Sequence, residues 1–330
     1  MPKSAEEIAR ETGFSVTTVR LVIYGQAEKY RISARTRQTI EDYIAIHGYS
    51  VNHAARSLKL NRSETIGFVV PDLANVFFAR VIAELEILCR KRNLLLLTVA
   101  SHEDPELEDR AIASLLARGV DGLVLAPCQP TTPAQLRKRR VPIVLFDRNY
   151  SPMHYPTVLS DNVRGGVELT RKMLEVAAAP CHFLCGHAQS PSITDRIGGF
   201  SAACADLGIV GSDSLIRRDD DDSARAGRTM MSALIDALGA APQAFMCSSL
   251  LVLEGALQQI KAQIGKIDKA LVIGTFDDHT MLDLLPNRVL SVRQDEAALA
   301  QRLFARLIEP TGRAPGAPDV VASELISRNL

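Results

Sequence analysis

The stretch that decides the architecture of the amino-terminal part is Ile8-Ala-Arg-Glu-Thr-Gly-Phe-Ser-Val-Thr-Thr-Val-Arg-Leu-Val-Ile23. Gly13 is suited to the left-handed backbone at the end of a helix. Ser15 is a residue type that caps the start of the next helix. Val19 and Val22 give that second helix an apolar face. The stretch therefore predicts two short helices joined by a tight turn around a glycine.

The residues on either side extend this helical pattern. Ser4-Ala-Glu-Glu7 fits a capping box at the start of the first helix. Ser33 predicts the start of a third helix and Gly48 its end. Two helices joined by a turn around a glycine, with a third packed across them, form the helix-turn-helix pattern, whose second helix can enter the major groove of DNA. We therefore predict an all-α helix-turn-helix head.

Beyond the head, short apolar runs alternate with amphipathic helical stretches. The runs are Ile66–Val70, Leu94–Val99, Gly122–Leu125, Pro142–Phe146, Thr157–Leu159, His182–Leu184, Ala244–Met246, Leu271–Phe276 and Val289–Val292. Fully apolar strands separated by helices predict parallel sheets that are covered on both faces. Nine such runs exceed one comfortable sheet, so we expect an α/β core of two doubly wound parallel-sheet lobes. A final strand is expected near Asp319–Leu325.

The charges are segregated along the chain. Residues 1–62 hold ten basic and six acidic residues, a net charge of +4, although the whole chain has 38 of each sign. A basic segment joined to an acidic body is typical of a protein whose smaller part contacts nucleic acid.

The composition excludes several other classes of protein. A hydrophobic content of 47% excludes a disordered chain. The six cysteines lie mostly in apolar runs without metal-type spacing, so we expect reduced core thiols, no metal and no cofactor. The chain has neither an apolar signal core at its start nor an apolar run of the roughly 20 residues that span a bilayer. We therefore expect a cytoplasmic protein with no membrane partner.

Several separated motifs resemble the lac repressor family. They are Ile8–Ile23, Ser33-Ala-Arg-Thr-Arg37, the turn at Gly48-Tyr49 and Asn52-His-Ala-Ala-Arg-Ser-Leu58. The resemblance implies a core like that of periplasmic binding proteins, and a homodimeric transcriptional regulator, expected to be a repressor, that binds double-stranded operator DNA and a sugar-type effector. Whether dimers pair into tetramers is left open.

The resemblance also implies a division of the chain. A helix-turn-helix domain is expected over 1–50, a hinge segment over 51–62, and an effector-binding and dimerisation core over 63–330. Within the core, we expect one lobe over about 63–160 and 291–322, and the other over about 161–290 and 323–330.

The DNA contacts that we expect lie in the head and the hinge. They are Ser15, Val16, Thr17, Thr18, Arg20, Ser33, Thr36, Asn52, Arg56 and Leu58. Val16 could contact a thymine methyl group, and the threonines could bond either base edge. Ser15 and Ser33 suit phosphate contacts at helix starts, where the alternative is that they act only as helix caps. Tyr24, Val51 and Leu21 depart from the family pattern and leave the operator sequence open.

Leu58 holds the hinge position whose leucine enters the minor groove in this family. A wedge of this kind unstacks a base step and bends the duplex, which brings more protein surface into contact with DNA. The wedge needs a second hinge from a partner chain, and this requirement supports a dimer. The alternative is an ordinary linker with one incidental leucine.

The effector residues are expected at the carboxyl ends of the strands, where ligands bind in wound α/β sheets. They are Phe77, Asp147, Arg148, Arg196, Ser249 and Asp277, with Phe78 as an alternative to Phe77. Arg196 lies in Asp195-Arg-Ile-Gly-Gly-Phe200, which is similar to the family's effector-contacting motif; the alternative is a structural salt bridge. Asp278 is expected to cap the run that begins at His279.

Three details look like the fructose-responsive branch of the family, which includes the catabolite repressor/activator protein and the sucrose-operon repressor. They are Gly25–Ser33, Phe146-Asp-Arg148 and Thr275-Phe-Asp-Asp-His279. Two guanidinium groups, Arg148 and Arg196, favour a phosphorylated effector such as fructose 1-phosphate, and Arg80 is a candidate for a third. A neutral sugar, fructose or sucrose, remains the alternative.

Two other functions fit an α/β core. In an enzyme, Asp277-Asp278-His279 could supply a general base or hold a metal, but the chain has no Gly-x-Gly-x-x-Gly, Walker or Gly-x-Ser-x-Gly motif. A sugar-transport protein would need export. We therefore predict no enzyme and no catalytic residue. The expected mechanism is a shift between two lobe arrangements, and whether the effector induces or corepresses is left open.

Overall fold

Two units make up the part of the chain that the computed structural model describes, Met1–Ser63 and Glu64–Leu330. The described residues are 2–49, 62–130, 136, 141–150, 155–177, 179–308 and 317–329. Asn52, Arg56 and Leu58, which we expect to contact DNA, lie outside them.

Three helices form the described part of the first unit, with their caps at the predicted residues. They are Ala5–Thr12 (α1), Val16–Ile23 (α2) and Ala34–His47 (α3). The capping box at Ser4 is confirmed, because its hydroxyl accepts a hydrogen bond from the Glu7 N–H while the Glu7 carboxylate accepts one from the Ser4 N–H. Gly13 has the left-handed backbone that ends α1, with φ of 77°. Fully buried Ile8, Val19 and Ile40, one from each helix, form the centre of the unit.

Two parallel sheets with helices on their faces form the second unit. The strands are Thr65–Val70 (β1), Leu95–Ala100 (β2), Gly122–Leu125 (β3), Ile143–Phe146 (β4), Thr157–Ser160 (β5), Cys181–Cys185 (β6), Ile216–Arg218 (β7), Ala244–Cys247 (β8), Val272–Phe276 (β9), Arg288–Arg293 (β10), Asp319–Val321 (β11) and Glu324–Arg328 (β12). The helices are Val76–Lys91 (α4), Pro105–Ala117 (α5), Asn162–Ala177 (α6), Pro191–Asp206 (α7), Ala224–Leu238 (α8), Leu250–Ile264 (α9) and Glu296–Ile308 (α10), with 3-10 turns at Ser212–Leu215 and Thr280–Leu284.

Each sheet belongs to one lobe. The strand order is β11-β5-β4-β3-β1-β2 in the first sheet and β12-β10-β9-β8-β6-β7 in the second. In both orders the chain winds outward in two directions from the first strand of the lobe, as in doubly wound folds. The predicted fold class, two doubly wound lobes behind a helical head, is confirmed.

The structure corrects three details of the predicted core. Strand β7 was not predicted, because in its three residues only Ile216 is buried. The final strand is two strands, of which β11 joins the first sheet and β12 the second. Strand β12 is antiparallel to β10, since the chain re-enters the second lobe from the opposite direction.

The chain leaves the second lobe after β10, where the sequence predicts a boundary at about residue 290. Strand β10 pairs in parallel with β9 up to Val292, so it lies entirely in the second sheet. The chain returns to the first lobe only at α10, whose Leu299 and Leu303 pack in the same apolar cluster as Phe68. The chain therefore crosses between the lobes three times, after β5, after β10 and after β11.

None of the described helices is long and apolar enough to cross a membrane. All six cysteines are free thiols. No group of three or more His, Cys, Asp or Glu side chains within the described residues is arranged to hold a metal ion.

Candidate functional site

A cavity of about 350 Å³ lies between the two lobes. Its walls are the loops and helix starts that follow β1, β2 and β4 in the first lobe and β6, β7, β8 and β9 in the second. The volume is in the range of small-molecule sites, roughly 300–1,000 Å³. All six predicted effector residues line this cavity: Phe77, Asp147, Arg148, Arg196, Ser249 and Asp277.

Asp147 and Asp277 hold corresponding positions in the two lobes. Each directly follows a strand, β4 or β9, and each has a left-handed backbone, with φ of 63° and 66°. Non-glycine residues in this region of backbone space are uncommon and occur often at functional sites. The left-handed turn ends the strand and leaves both buried carboxyl groups among the side chains that line the cavity.

The two carboxyl groups differ in the hydrogen bonds that they accept. Ser192 donates a weak hydrogen bond of 3.4 Å to Asp147 Oδ2, whereas Asp147 Oδ1 is buried without a partner among the described residues. Gln294 donates to Asp277 Oδ1 over 2.5 Å. An unpartnered buried carboxylate oxygen is costly, and a ligand hydroxyl would satisfy it.

Burial raises the pKa of both carboxyl groups. Burial raises the pKa of Asp277 to about 6, although the charge of Arg196 acts in the opposite direction. The pKa of Asp147 is also raised by burial, against the charges of Arg148 and Arg196. A ligand that donates hydrogen bonds favours the ionised form of both carboxyl groups.

The Arg148 guanidinium is held at both terminal nitrogens by a residue that sequence reasoning missed. Its Nη1 and Nη2 donate to the two carboxylate oxygens of Glu103 over 2.7 and 2.6 Å. Its Nε is 3.8 Å from Asp147 Oδ2 and makes no hydrogen bond to a described residue. The nearest signal in the sequence is the predicted run Leu94–Val99, because Glu103 lies in the loop that follows this strand.

Arg196 is oriented by neutral groups. Its Nε donates to Asn162 Oδ1 over 2.8 Å, and its Nη1 donates to the Ser248 carbonyl oxygen. The guanidinium carbon lies 4.3 Å from the centre of the Phe276 ring, a cation–π contact. Within the described residues Arg196 forms no salt bridge, although its charge favours the ionised form of Asp147 and Asp277.

Ser249 and Asp222 form a second pair that the sequence did not predict. The Ser249 hydroxyl donates to Asp222 Oδ1 over 2.7 Å and caps α9 by accepting from the Val252 N–H. Asp222 lines the cavity, and burial raises its pKa. It ends the run Asp219-Asp-Asp-Asp222, a pattern more typical of an exposed loop.

The aromatic wall of the cavity is built from the first lobe. Phe77 and Phe78 both line the cavity, and the rings of both pack against Phe146, with centroids 5.6 and 6.0 Å away. Both are buried. They offer an apolar surface that suits one face of a sugar ring.

Two expected roles are corrected. Asp278 does not cap the run at His279; it pairs with Arg328 over 2.8 Å, and the His279 ring accepts from the Met281 N–H instead. Arg80 does not line the cavity, because its Nη1 donates to the Asp278 carbonyl oxygen over 2.7 Å and binds the two lobes together.

In the head, the predicted DNA contacts lie at the starts of α2 and α3. The Ser15 hydroxyl accepts from the Thr18 N–H, and the Ser33 hydroxyl from the Thr36 N–H, each over 3.1 Å, so both serines are helix caps. Thr17 is exposed, whereas Val16 packs partly against the apolar centre of the head. Arg20 is held by Glu6 of α1 at 2.5 Å.

Comparison with known proteins gives a consistent result. Residues 63–306 match the family model described as periplasmic binding proteins and sugar binding domain of the LacI family. The chain is 33% identical over 314 residues to the sucrose operon repressor of Klebsiella pneumoniae, a match that covers 94% of this chain and 93% of that protein.

Solved structures are similar as well, and two of them are informative. The Cra transcriptional dual regulator from Pseudomonas putida, in complex with fructose 1-phosphate, superposes with a TM-score of 0.71 and 28% identity, over 80% of this chain and 98% of that one. The lac repressor dimer, bound to operator and the anti-inducer ONPF, has a TM-score of 0.81 at 19% identity, over 99% and 98% of the two chains. The second likeness is one of fold.

Proposed function

This chain belongs to the LacI family, and we propose from that premise that it is a sequence-specific, DNA-binding repressor of sugar-metabolism genes, controlled by a sugar-type effector. The observation that carries the proposal is the cavity between the lobes, which brings six predicted effector side chains together in a chain whose first unit is a helix-turn-helix head. The sucrose operon repressor and Cra, which are similar over most of the chain, support the same function. The protein acts as a regulator rather than as an enzyme.

The effector that we propose is a fructose-type sugar, in the first place fructose 1-phosphate. Cra binds this compound, and Arg196 offers a buried cation for its phosphate group. Asp147 and Asp277 accept hydrogen bonds from sugar hydroxyls, and Phe77 covers the apolar face of the ring. A neutral sugar, fructose or sucrose, is the second candidate, and the occupation of Arg148 by Glu103 favours it.

The head supplies the contacts to operator DNA. The exposed first turn of α2, with Thr17 and Thr18, reads base edges in the major groove, and Arg20 contacts DNA after leaving Glu6. Ser15 and Ser33 contact phosphates while they cap their helices. Asn52, Arg56 and Leu58 act in the hinge, where Leu58 enters the minor groove.

Regulation follows from the two-lobed design. A ligand that contacts Asp147 in one lobe and Asp277 in the other stabilises one relative arrangement of the lobes. In a homodimer, this arrangement changes the distance between the two hinge segments and therefore the affinity for operator DNA. The dimer is the functional unit, because one operator half-site binds one head.

The experiment uses the full-length protein and an operator fragment selected from random sequence. We expect tight, salt-dependent binding in a gel shift, and a change in affinity of at least several-fold when fructose 1-phosphate or fructose is added, the size typical of allosteric coupling. Glucose serves as the control sugar. If none of these sugars or sugar phosphates changes operator affinity, or no DNA fragment is selected, the proposal is wrong.

A further inference from the structure

We propose that Glu103 is a specificity-determining residue of the effector cavity, which sets how strongly a phosphorylated sugar is preferred to a neutral one. The inference rests on the proposed function and adds to it a residue that sets which ligand the cavity prefers. It arises from the pairing of Glu103 with the guanidinium that a phosphate would otherwise bind.

The geometry makes Glu103 a direct competitor of a phosphate group. Its two carboxylate oxygens accept from the two terminal nitrogens of Arg148 over 2.6 and 2.7 Å, which is a bidentate arrangement. A phosphate binds a guanidinium through the same pair of parallel N–H groups. The third nitrogen, Nε, faces Asp147 Oδ2 at 3.8 Å. A phosphate can therefore bind this pair of terminal N–H groups only by replacing Glu103.

The other charged groups of the cavity make the affinity for a phosphate depend on whether it replaces Glu103. Among the described residues, six carboxyl groups line the cavity against two guanidinium groups: Asp72, Glu103, Asp147, Asp221, Asp222 and Asp277 against Arg148 and Arg196. With Arg148 neutralised by Glu103, an incoming phosphate meets Arg196 as the one lining guanidinium without a carboxylate partner among the described residues, and the carboxyl groups outnumber the cations. A neutral sugar, by contrast, uses the carboxylates as hydrogen-bond acceptors and loses nothing to Glu103.

Glu103 remains charged, so it competes at neutral pH. Partial burial alone would raise the pKa of Glu103, but the hydrogen bonds and charge of Arg148 outweigh it and hold that pKa below its usual value. The competitor is therefore a full carboxylate over the physiological range.

Glu103 is also the movable partner of the pair. The Glu103 side chain is 34% exposed, whereas the Arg148 side chain is 7% exposed. His187 of the second lobe lies next to it, with its Nε2 3.8 Å from Glu103 Oε2. A displaced Glu103 carboxylate therefore has solvent and the His187 ring within reach, while Arg148 stays in place to receive the phosphate.

The experiment compares two ligands on the full-length chain by calorimetry. We expect Glu103→Gln to raise the ratio of fructose 1-phosphate affinity to fructose affinity by about tenfold, the size of one charge-assisted interaction. Glu103→Asp, which keeps the charge but shortens the side chain, should give a smaller rise. Glu106→Gln is the matched control, because it removes the same charge from an exposed residue three positions away that does not line the cavity.

A double variant tests whether Glu103 affects the ligand preference through Arg148. In an Arg148→Ala background, Glu103→Gln should raise the ratio by less than it does with Arg148 present, since the group for which the two anions compete is gone and only charge repulsion remains. If both ligands bind and Glu103→Gln leaves the ratio as in the wild type, the inference is wrong while the proposed function stands. If the wild-type protein binds neither fructose nor fructose 1-phosphate, the proposed effector class fails and the inference fails with it.

Discussion

At the scale of single residues, Asp147 and Asp277 repeat one local design in both lobes. Each ends a central strand with a left-handed backbone and holds a buried carboxyl group at the cavity. The pKa of Asp277 is raised to about 6 by burial, so its charge changes within a mildly acidic range. A carboxylate accepts hydrogen bonds more strongly than a protonated carboxyl group does.

The binding of fructose should therefore depend on pH through Asp277. Below pH 6 the carboxyl group is increasingly protonated and affinity should fall, by up to about tenfold between pH 7 and pH 5. Above pH 7 affinity should be constant. Fructose is the ligand to use, because a phosphate would titrate in the same range.

Asp277→Asn is the variant that assigns this effect. It should bind fructose more weakly at pH 7 and with little dependence on pH, as calorimetry over pH 5–8 would measure. A wild-type affinity that is flat over this range, or a slope that survives in Asp277→Asn, would contradict the assignment.

Which side chains share one cavity could be predicted from sequence where the fold itself brings residues together. The side chains at strand ends could be predicted to meet because parallel strands end at one edge of a sheet. Glu103 and Asp222 could not be predicted in the same way. Their positions depend on the course of loops and on partners distant in sequence, Arg148 for Glu103 and Ser249 for Asp222.

At the scale of elements, glycines allow two helices of the second lobe to pack closely. A Cβ atom at Gly199 of α7 would lie 2.3 Å from the Val163 carbonyl oxygen of α6, and one at Gly166 would lie 2.6 Å from the Arg196 carbonyl oxygen. The close contact fixes α7, the helix that carries Arg196. The close crossing of α6 and α7 therefore helps to position Arg196 at the cavity.

Gly199→Ala and Gly198→Ala form a matched pair of neighbouring substitutions. Gly199→Ala forces the backbones of α6 and α7 apart. It should destabilise the protein by about 1–3 kcal/mol or more, as overpacking does. Gly198 has no atom within 4 Å of an added Cβ, so Gly198→Ala should stabilise the helix by about 0.5–1 kcal/mol.

Urea denaturation of the two variants would measure this difference. The midpoint should move in opposite directions, and only Gly199→Ala should weaken effector binding, because it displaces the helix of Arg196. Equal midpoints for the two variants would mean that α6 and α7 can separate without cost.

Most elements could be predicted because their apolar runs are long and bounded by capping residues. Ser4, Ser15 and Ser33 all cap the helices that they were expected to cap. Strands β7 and β12 carry charged and exposed residues at lobe edges, so their pairing is decided by neighbouring strands rather than by hydrophobicity.

At the scale of the whole molecule, the two lobes are joined by three crossings of the chain and by side-chain contacts. The two lobes share Arg80, which reaches from α4 to the Asp278 carbonyl oxygen, and Ser192, which reaches from α7 to Asp147. Contacts of this kind can hold one lobe arrangement and be replaced in another, which is what a population shift needs.

Coupling between the cavity and the operator must be reciprocal if one shift in lobe arrangement controls both. The factor by which fructose 1-phosphate changes operator affinity should equal the factor by which operator DNA changes fructose 1-phosphate affinity, typically about 5–150-fold. Both factors can be measured with the full-length protein at one salt concentration, by operator titration with and without the sugar phosphate and by calorimetry with and without saturating operator. The second unit alone, from Glu64 onward, is the control, since without the head its affinity for the effector should not respond to operator DNA. Equal effector affinities for free and operator-bound full-length protein would show that the cavity, whatever it binds, does not control the head.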